Sequence, residues 1–175
     1  MTGSARLTRE HIHELFDRLN EELAEVGTIG ELYLVGGAVM YLALNAGEST
    51  VGVDTLFEPT QTLRESAAHV GAAAGVGDKW LNAAVEGVLG AGGASDPFLD
   101  LPHLRVFVPH PEYLLAMKCA AMRLHADVHD LDDVRYLLRW LNITELDEAL
   151  AIVTRYFDEE ILPPKTRPVL EEMLA

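Results

Sequence analysis

The alternation of apolar and polar positions predicts strands in the part of the chain before Pro109 and only helices after Pro111. An amphipathic helix is predicted over residues 8–26, where Ile12, Leu15, Phe16, Leu19 and Leu23 recur at helical spacing behind a Thr8 N-cap. Short apolar runs predict strands at 32–35, 51–57 and 104–108. After Pro111 the spacing becomes helical, with helices predicted at 112–124, 127–140, 144–157 and 163–174. The pattern indicates an α+β protein with a C-terminal helical region.

The stretch from Leu32 to Pro59 carries the densest set of signals. The first strand ends in Gly36–Gly37, and a helix is predicted from about Ala38 to Leu44. Two glycines between a strand and a helix can bring backbone N–H groups close to a phosphate, and the helix N-terminus favours the negative charge. The alternative is a tight turn chosen for packing, and a glycine pair alone does not distinguish the two.

The second strand places one acid, Asp54, on the same face as Gly52. A carboxylate at both positions would form a D-x-D pair able to bind Mg²⁺, which prefers oxygen ligands from carboxylates and substrate phosphates. Gly52 therefore removes one of two expected metal ligands. The structural alternative is a bulge or a close backbone approach that only glycine permits.

Amino-acid composition argues against some classes of binding partner. The formal net charge is −15, with 13 Lys and Arg against 28 Asp and Glu, which argues against general binding of duplex DNA. A nucleotide held through metal ions stays open, because the metal supplies the positive charge. Cys119 is the single cysteine, so neither a disulfide framework nor a thiolate zinc site is expected. With no signal-peptide pattern and no long apolar run, a cytoplasmic protein without membrane contact is predicted.

The rest of the chain holds weaker candidates. A helix is predicted over 62–74, helical turns over 83–89, and a Gly-, Ser- and Pro-rich loop over 90–100. Lys118 lies on a largely apolar helix, where a lysine usually extends its ammonium to the surface. Asp130 and Asp133 fall near the start of the next helix, where acids favour the dipole. His125 and His129 are spaced for one helical face, but a bare pair is poor support for a zinc site.

Several separated segments, taken in order, resemble one family. These are the strand followed by GGA at 36–38, LFEP at 56–59, WLN at 80–82, PEYLLAMK at 111–118 and DLDD at 130–133. Together they resemble nucleotidyltransferase-fold proteins of the AbiEii abortive-infection type and related toxin-like nucleotidyltransferases. The similarity extends from about Glu31 to the C-terminus.

That resemblance implies a DNA polymerase beta-like nucleotidyltransferase fold, with a small mixed sheet. It implies one domain over 1–175, with a sheet-containing core at about 1–108 and a helical lobe at 109–175. It also implies Mg²⁺-dependent transfer of a nucleotidyl group from a nucleoside triphosphate to an RNA or protein hydroxyl, and a cognate antitoxin as a further partner.

The resemblance assigns site residues of the family to specific positions of this chain. Gly36 and Gly37 match the phosphate-side turn, and Asp54 matches the second acid of the metal-binding pair. Lys118 matches a lysine that reaches the triphosphate, and Asp130 and Asp133 match acids that follow it.

The chain departs from the family at the presumed centre. Gly52 stands where the first acid is expected, Ala83 where an acid is typical, and Glu86 where a lysine is common. Two functional hypotheses therefore stand side by side: a nucleotidyltransferase, and a non-catalytic relative that binds or regulates. A glycine introduced at position 52 to silence a toxic enzyme is a third interpretation.

Overall fold

The computed structural model describes residues 6–35, 37–46, 52–83, 95–120, 122 and 128–175. These residues form two compact units. The first unit includes the described residues up to 83 and those from 95 to 108, and the second begins at Pro109. The organisation of 1–175 as a single domain stays a prediction.

The first unit is α+β and the second is helical, as the apolar pattern predicted. Helices α1, α2 and α3 and all five strands begin in the first unit. Their bounds are α1 Arg9–Glu25, β1 Gly30–Val35, α2 Gly37–Leu42, β2 Val53–Glu58, α3 Thr60–Ala74, β3 Leu81–Ala83, β4 Ser95–Asp100 and β5 Leu104–Pro109. The second unit contains α4 Pro111–Ala120, α5 Val128–Trp140, α6 Leu146–Tyr156, a 3-10 turn Glu159–Ile161 and α7 Thr166–Leu174.

The five strands form one mixed sheet in the order β3-β2-β1-β5-β4. Strand β1 lies antiparallel to β2 and parallel to β5, and β2 lies parallel to β3. Only residues 101–103 separate β4 from β5, which is the short connection of an antiparallel hairpin. A small mixed sheet in an α+β protein is therefore confirmed. Its assignment to the DNA polymerase beta-like nucleotidyltransferase fold stays a prediction.

Alternation along β1 separates a buried face from a partly exposed one. Besides Gly30, five residues of β1 and β2 whose side chains the structure describes are buried, and α3 packs on β2 while α1 packs on α3. The buried residues are Leu32, Leu34, Val53, Thr55 and Phe57. The hydroxyl of Thr55, the one polar member, donates to the backbone oxygen of Tyr33 at 3.0 Å, which offsets the loss of water at that position.

Helix α1 has the predicted periodicity and cap. Ile12, Leu15, Phe16, Leu19 and Leu23 are all buried. The Thr8 hydroxyl accepts from the backbone N–H of His11, and the His11 ring accepts from the N–H of Thr8, both at 3.3 Å. His11 thus completes a capping box that satisfies the N–H groups of Thr8 and His11.

Three sequence predictions about secondary structure are wrong. Residues 95–100, expected as loop, form β4, and Ala83, expected in a helical turn, ends β3. The helix predicted from residue 144, with Thr144 as its N-cap, begins instead at Leu146, and Glu145 is in the N-cap position. The helical turns expected at 84–89 lie outside the described residues.

Candidate functional site

The junction of β1 and β2 brings Asp54 close to the predicted glycine turn. The register pairs Val35, the last residue of β1, with Asp54 near the start of β2. Gly36 lies outside the described residues, and α2 begins at Gly37. Asp54 therefore stands, by backbone register, beside the point where the chain leaves the sheet for α2. Because α2 has only six residues, its dipole adds little, and a phosphate there would depend on the amides of the turn.

Strand β3 lies on the other side of Asp54. The parallel register pairs Asp54 with Asn82, and the N–H of Val53 donates to the backbone oxygen of Trp80 at 2.7 Å. Trp80 anchors this strand to the core: its side chain is 2% exposed, and its indole N–H donates to the Ala67 oxygen at 2.8 Å. The position of Asn82 opposite Asp54 is thus fixed by a buried aromatic residue two residues before it in the chain.

Gly52 faces the side chain of Asn82. A Cβ built on Gly52 would lie 2.8 Å from the Asn82 Nδ2 and 3.4 Å from the backbone oxygens of Lys79 and Trp80. One interpretation of Gly52 was that another group approaches its backbone too closely for a side chain. The Asn82 amide is such a group. An acid at position 52 would need the space that this amide occupies. Sequence analysis included Asn82 in the WLN segment at 80–82 but assigned it no role in the site.

Lys118 and Asp133 meet in the helical unit. The Lys118 Nζ lies 2.8 Å from a carboxylate oxygen of Asp133, joining α4 to α5. Lys118 is 9% exposed, so the expectation that its ammonium extends to the surface is wrong. Asp133 is the sixth residue of α5, beyond the first turn where an acid would serve the helix dipole. Its carboxylate instead balances a buried cation.

For the other predicted site residues, the structure describes either the backbone only or nothing. Asp130 is the third residue of α5, in its first turn, as is its neighbour His129. His125 lies outside the described residues. Asp54 belongs to the first unit and Lys118 to the second, so their convergence on one nucleotide stays a prediction.

Cys119, next to Lys118, is excluded as a nucleophile at neutral pH. Burial raises the pKa of its thiol to about 12, which keeps the group protonated and weakly reactive. The hydroxyl of Thr166 donates to the Cys119 backbone oxygen at 3.2 Å and links α7 to α4. Cys119 is therefore a packing residue of the helical unit.

The donor atoms available to a metal are few. Among residues the structure describes, no three His, Cys, Asp or Glu side chains are grouped as a metal site. A site at Asp54 would need neutral oxygens, water and substrate phosphates to complete its shell, as Mg²⁺ sites commonly do. Binding of Mg²⁺ at Asp54 therefore stays a prediction.

Comparisons of the chain with protein-family models, curated proteins and solved structures gave no match. In the part of the chain that the structure describes, every helix is too short or too polar to cross a bilayer.

Proposed function

We propose that the protein is a nucleotidyltransferase of the toxin-like, abortive-infection type, using a nucleoside triphosphate and Mg²⁺. The observation that carries the proposal is the register of Val35 with Asp54, beside the start of α2 at Gly37. A carboxylate next to a strand–glycine–helix turn combines a metal ligand with backbone donors for phosphate. The α+β architecture with a mixed sheet and a C-terminal helical region supports the same assignment.

The reaction would be displacement at the α-phosphorus. An RNA or protein hydroxyl oxygen bonds to that phosphorus and loses its proton to water, the bond to the bridging oxygen of the β-phosphate breaks, and pyrophosphate leaves. Mg²⁺, when bound, would neutralise the triphosphate and the charge that develops on the leaving group. Asp54 would hold the metal, and the amides of Gly36 and Gly37 would bind phosphate oxygens.

The lysine and acids of the helical unit have secondary roles in this proposal. Lys118 would contact the triphosphate, with Asp133 fixing the direction of its ammonium. Asp130 would assist from the first turn of α5. A cytoplasmic location and a cognate antitoxin belong to the same proposal, because an active enzyme of this type would need to be restrained.

Transfer of a labelled nucleotide tests the proposal. Each of the four triphosphates is incubated with the protein, Mg²⁺ and total RNA or protein, and acceptor label and pyrophosphate are counted. Asp54→Asn should lower transfer at least about 100-fold, because the metal loses its one carboxylate. Asp78→Asn, an exposed acid of the same unit, should leave transfer unchanged.

The variant Gly52→Asp tests for a gain of transfer in the same experiment. It should raise transfer, since a second carboxylate joins the site, although the Asn82 amide must move aside to admit it. Equal transfer by the wild type and Asp54→Asn, together with no gain from Gly52→Asp, would sink the catalytic proposal.

A second candidate function is a non-catalytic nucleotide-binding module. Two observations favour it. Gly52 offers no carboxylate, and the described residues contain no group of three ligating His, Cys, Asp or Glu side chains. Calorimetry with each triphosphate and Mg²⁺ separates the two. Asp54-dependent binding without pyrophosphate release supports the module, and lack of binding removes both candidates.

A further inference from the structure

We propose that one side of α5, in the helical unit, binds a single strand of nucleic acid. The surface assigned to the strand, the α5 face, consists of Arg135, Tyr136, Arg139 and Trp140. Residues three and four apart on a helix are neighbours, so these four side chains form one continuous surface. As the holder of an RNA acceptor the α5 face rests on the proposed function, whereas strand binding itself needs neither catalysis nor a metal.

The charge of this segment differs from that of the whole chain. Residues 134–144 contain two arginines and no Asp or Glu, although the chain has 28 acids in 175 residues. Both arginines are exposed, and none of the acids that the structure describes forms an ion pair with Arg139. Arg135 lies 3.4 Å from Asp132, with both side chains at least half exposed, and such a pair is weak enough for a phosphate to displace. The α5 face is therefore a local site for phosphate on an acidic protein.

The aromatic part of the α5 face presents a flat apolar surface to solvent. Trp140 is 53% exposed. Its ring stacks on that of Tyr136, with the centroids 6.2 Å apart and an angle of 21° between the planes. Proteins that bind single strands without sequence preference combine such rings, on which bases stack, with cations that bind the backbone. The α5 face holds both kinds of group on one helix.

A cleft beside the α5 face extends the contact surface. It has a volume of about 280 Å³ and lies between the C-terminal parts of α5 and α7. Its lining combines both arginines with Leu138, Met173 and the hydroxyl-bearing Thr144. Leu138 is 3% exposed and gives the cleft an apolar wall. Guanidinium groups next to an apolar wall suit a nucleotide, which carries a phosphate beside a flat base.

Stacking distinguishes a single strand from the two other anionic partners that the arginines would attract. In a duplex, neighbouring bases cover each base face, so only phosphates are available, and two arginines are too few to hold them against a net charge of −15. A peptide of acidic residues would pair with the arginines but has no flat ring to place on Trp140. The exposed tryptophan therefore favours the single strand.

Tryptophan fluorescence tests the proposal, because the chain contains only two tryptophans and Trp80 is buried. A short single-stranded oligoadenylate RNA is titrated into the whole chain at low salt. Stacking of adenine should quench the emission of Trp140. Trp140→Ala should abolish the quenching and weaken binding, measured by anisotropy of a labelled strand, about tenfold or more. The remaining emission of Trp80 shows that the variant is folded.

The salt dependence of binding tests the arginines. Arg135→Gln and Arg139→Gln should each weaken binding and reduce the slope of log K against log salt concentration by about 0.7, because one phosphate contact is lost. A merely structural arginine would leave that slope unchanged. Arg64→Gln, the same change at an exposed position of α3, should alter neither affinity nor slope.

The outcomes separate this proposal from the proposed function. Equal binding by the wild type and Trp140→Ala would overturn the α5 face, as would duplex RNA or polyglutamate that binds as tightly as the single strand. Transfer of nucleotide to RNA that persists without strand binding at Trp140 and Arg139 would also overturn it and would leave the proposed function standing. Strand binding with the expected properties, in a protein that transfers no nucleotide, supports the α5 face and removes only the catalytic proposal.

Discussion

The two units of the protein hold their candidate residues by different physical means. In the sheet unit, Asp54 is placed between Val35 and Asn82 by backbone pairing, which is independent of side-chain charge. In the helical unit, Lys118 is placed by a 2.8 Å ion pair with Asp133 across two helices. Backbone pairing tolerates a change of side chain, whereas a buried ion pair fails when one partner is removed.

This difference bears on what each substitution can reveal. Replacing Asp54 should change chemistry with little effect on folding. Replacing Lys118 or Asp133 changes both, so a loss of activity there is interpretable only beside a stability measurement.

The largest expected effect comes from overfilling the sheet unit at Gly71. A Cβ on Gly71 in α3 would overlap the backbone oxygen of Gly77 and would lie 2.6 Å from the Trp80 ring. Gly71→Ala should lower the free energy of unfolding by about 3 kcal/mol, because a backbone carbonyl has to move. Urea unfolding followed by tryptophan fluorescence measures it.

Helix propensity alone predicts the opposite result, because replacing Gly with Ala in a helix interior raises stability by about 1 kcal/mol. Ala73→Gly, at an exposed position of α3, should cost about 1 kcal/mol and serves as the control. A more stable Gly71→Ala variant would show that α3 and the segment before β3 do not pack as described.

The next effect should come from the ion pair. Asp133→Ala removes the carboxylate that lies 2.8 Å from the buried Lys118 ammonium and should destabilise the protein by about 2–3 kcal/mol. This is below the roughly 3–5 kcal/mol of a fully buried pair, because Asp133 is 24% exposed on its side chain. Lys118→Met combined with Asp133→Leu should recover most of that loss, since neither charge is then buried alone.

An exposed pair in the same unit supplies the matched control. Arg155 lies 2.8 Å from Glu112, with both side chains well exposed. Arg155→Met should cost no more than about 0.5 kcal/mol. Equal losses for Asp133→Ala and Arg155→Met would mean that the Lys118–Asp133 pair is solvated and that the two units hold their residues alike.

The smallest expected effect concerns the labelling rate of the Cys119 thiol, which reports on opening of the helical unit. Its pKa of about 12, against an ordinary value of 9.0, lowers the thiolate fraction near pH 8 on the order of 1000-fold. The native thiol should therefore react with a disulfide reagent far more slowly than the urea-unfolded chain. Because the folded pKa is raised, the thiol's contribution to stability is complete below pH 9 and declines as the pH rises towards 12.

Asp133→Ala should speed this labelling by opening the helical unit, and Gly71→Ala should speed it less. Rapid, complete labelling of the native wild type would contradict the burial of Cys119.

Periodicity made the sheet unit partly predictable. The spacing of α1 and the alternation of β1 and β2 each have a buried face that repeats, and such repeats are visible in the sequence. Strand β3 has three residues, too few to show a period. Strand β4 is mostly exposed and contains Pro97, so it carries no alternating apolar pattern.

The helical unit was predictable as helices but not as a set of contacts. Spacing places Lys118 on α4 and Asp133 on α5, yet it does not determine which side of α4 meets α5. The expectation for an isolated lysine, extension to water, was wrong because another helix brought a carboxylate to it. The position of Asn82 was not predicted for a related reason: its neighbours, Asp54 and Gly52, are distant in sequence and meet it only through strand pairing.

The order of the strands also bears on self-association. Among the described strands, β3 and β4 form the edges of the sheet, and an open edge can recruit a strand from another molecule. Strand β4 lacks one N–H at Pro97 and carries acids at Asp96 and Asp100. Proline and negative charge therefore protect the β4 edge of the sheet against pairing with another molecule.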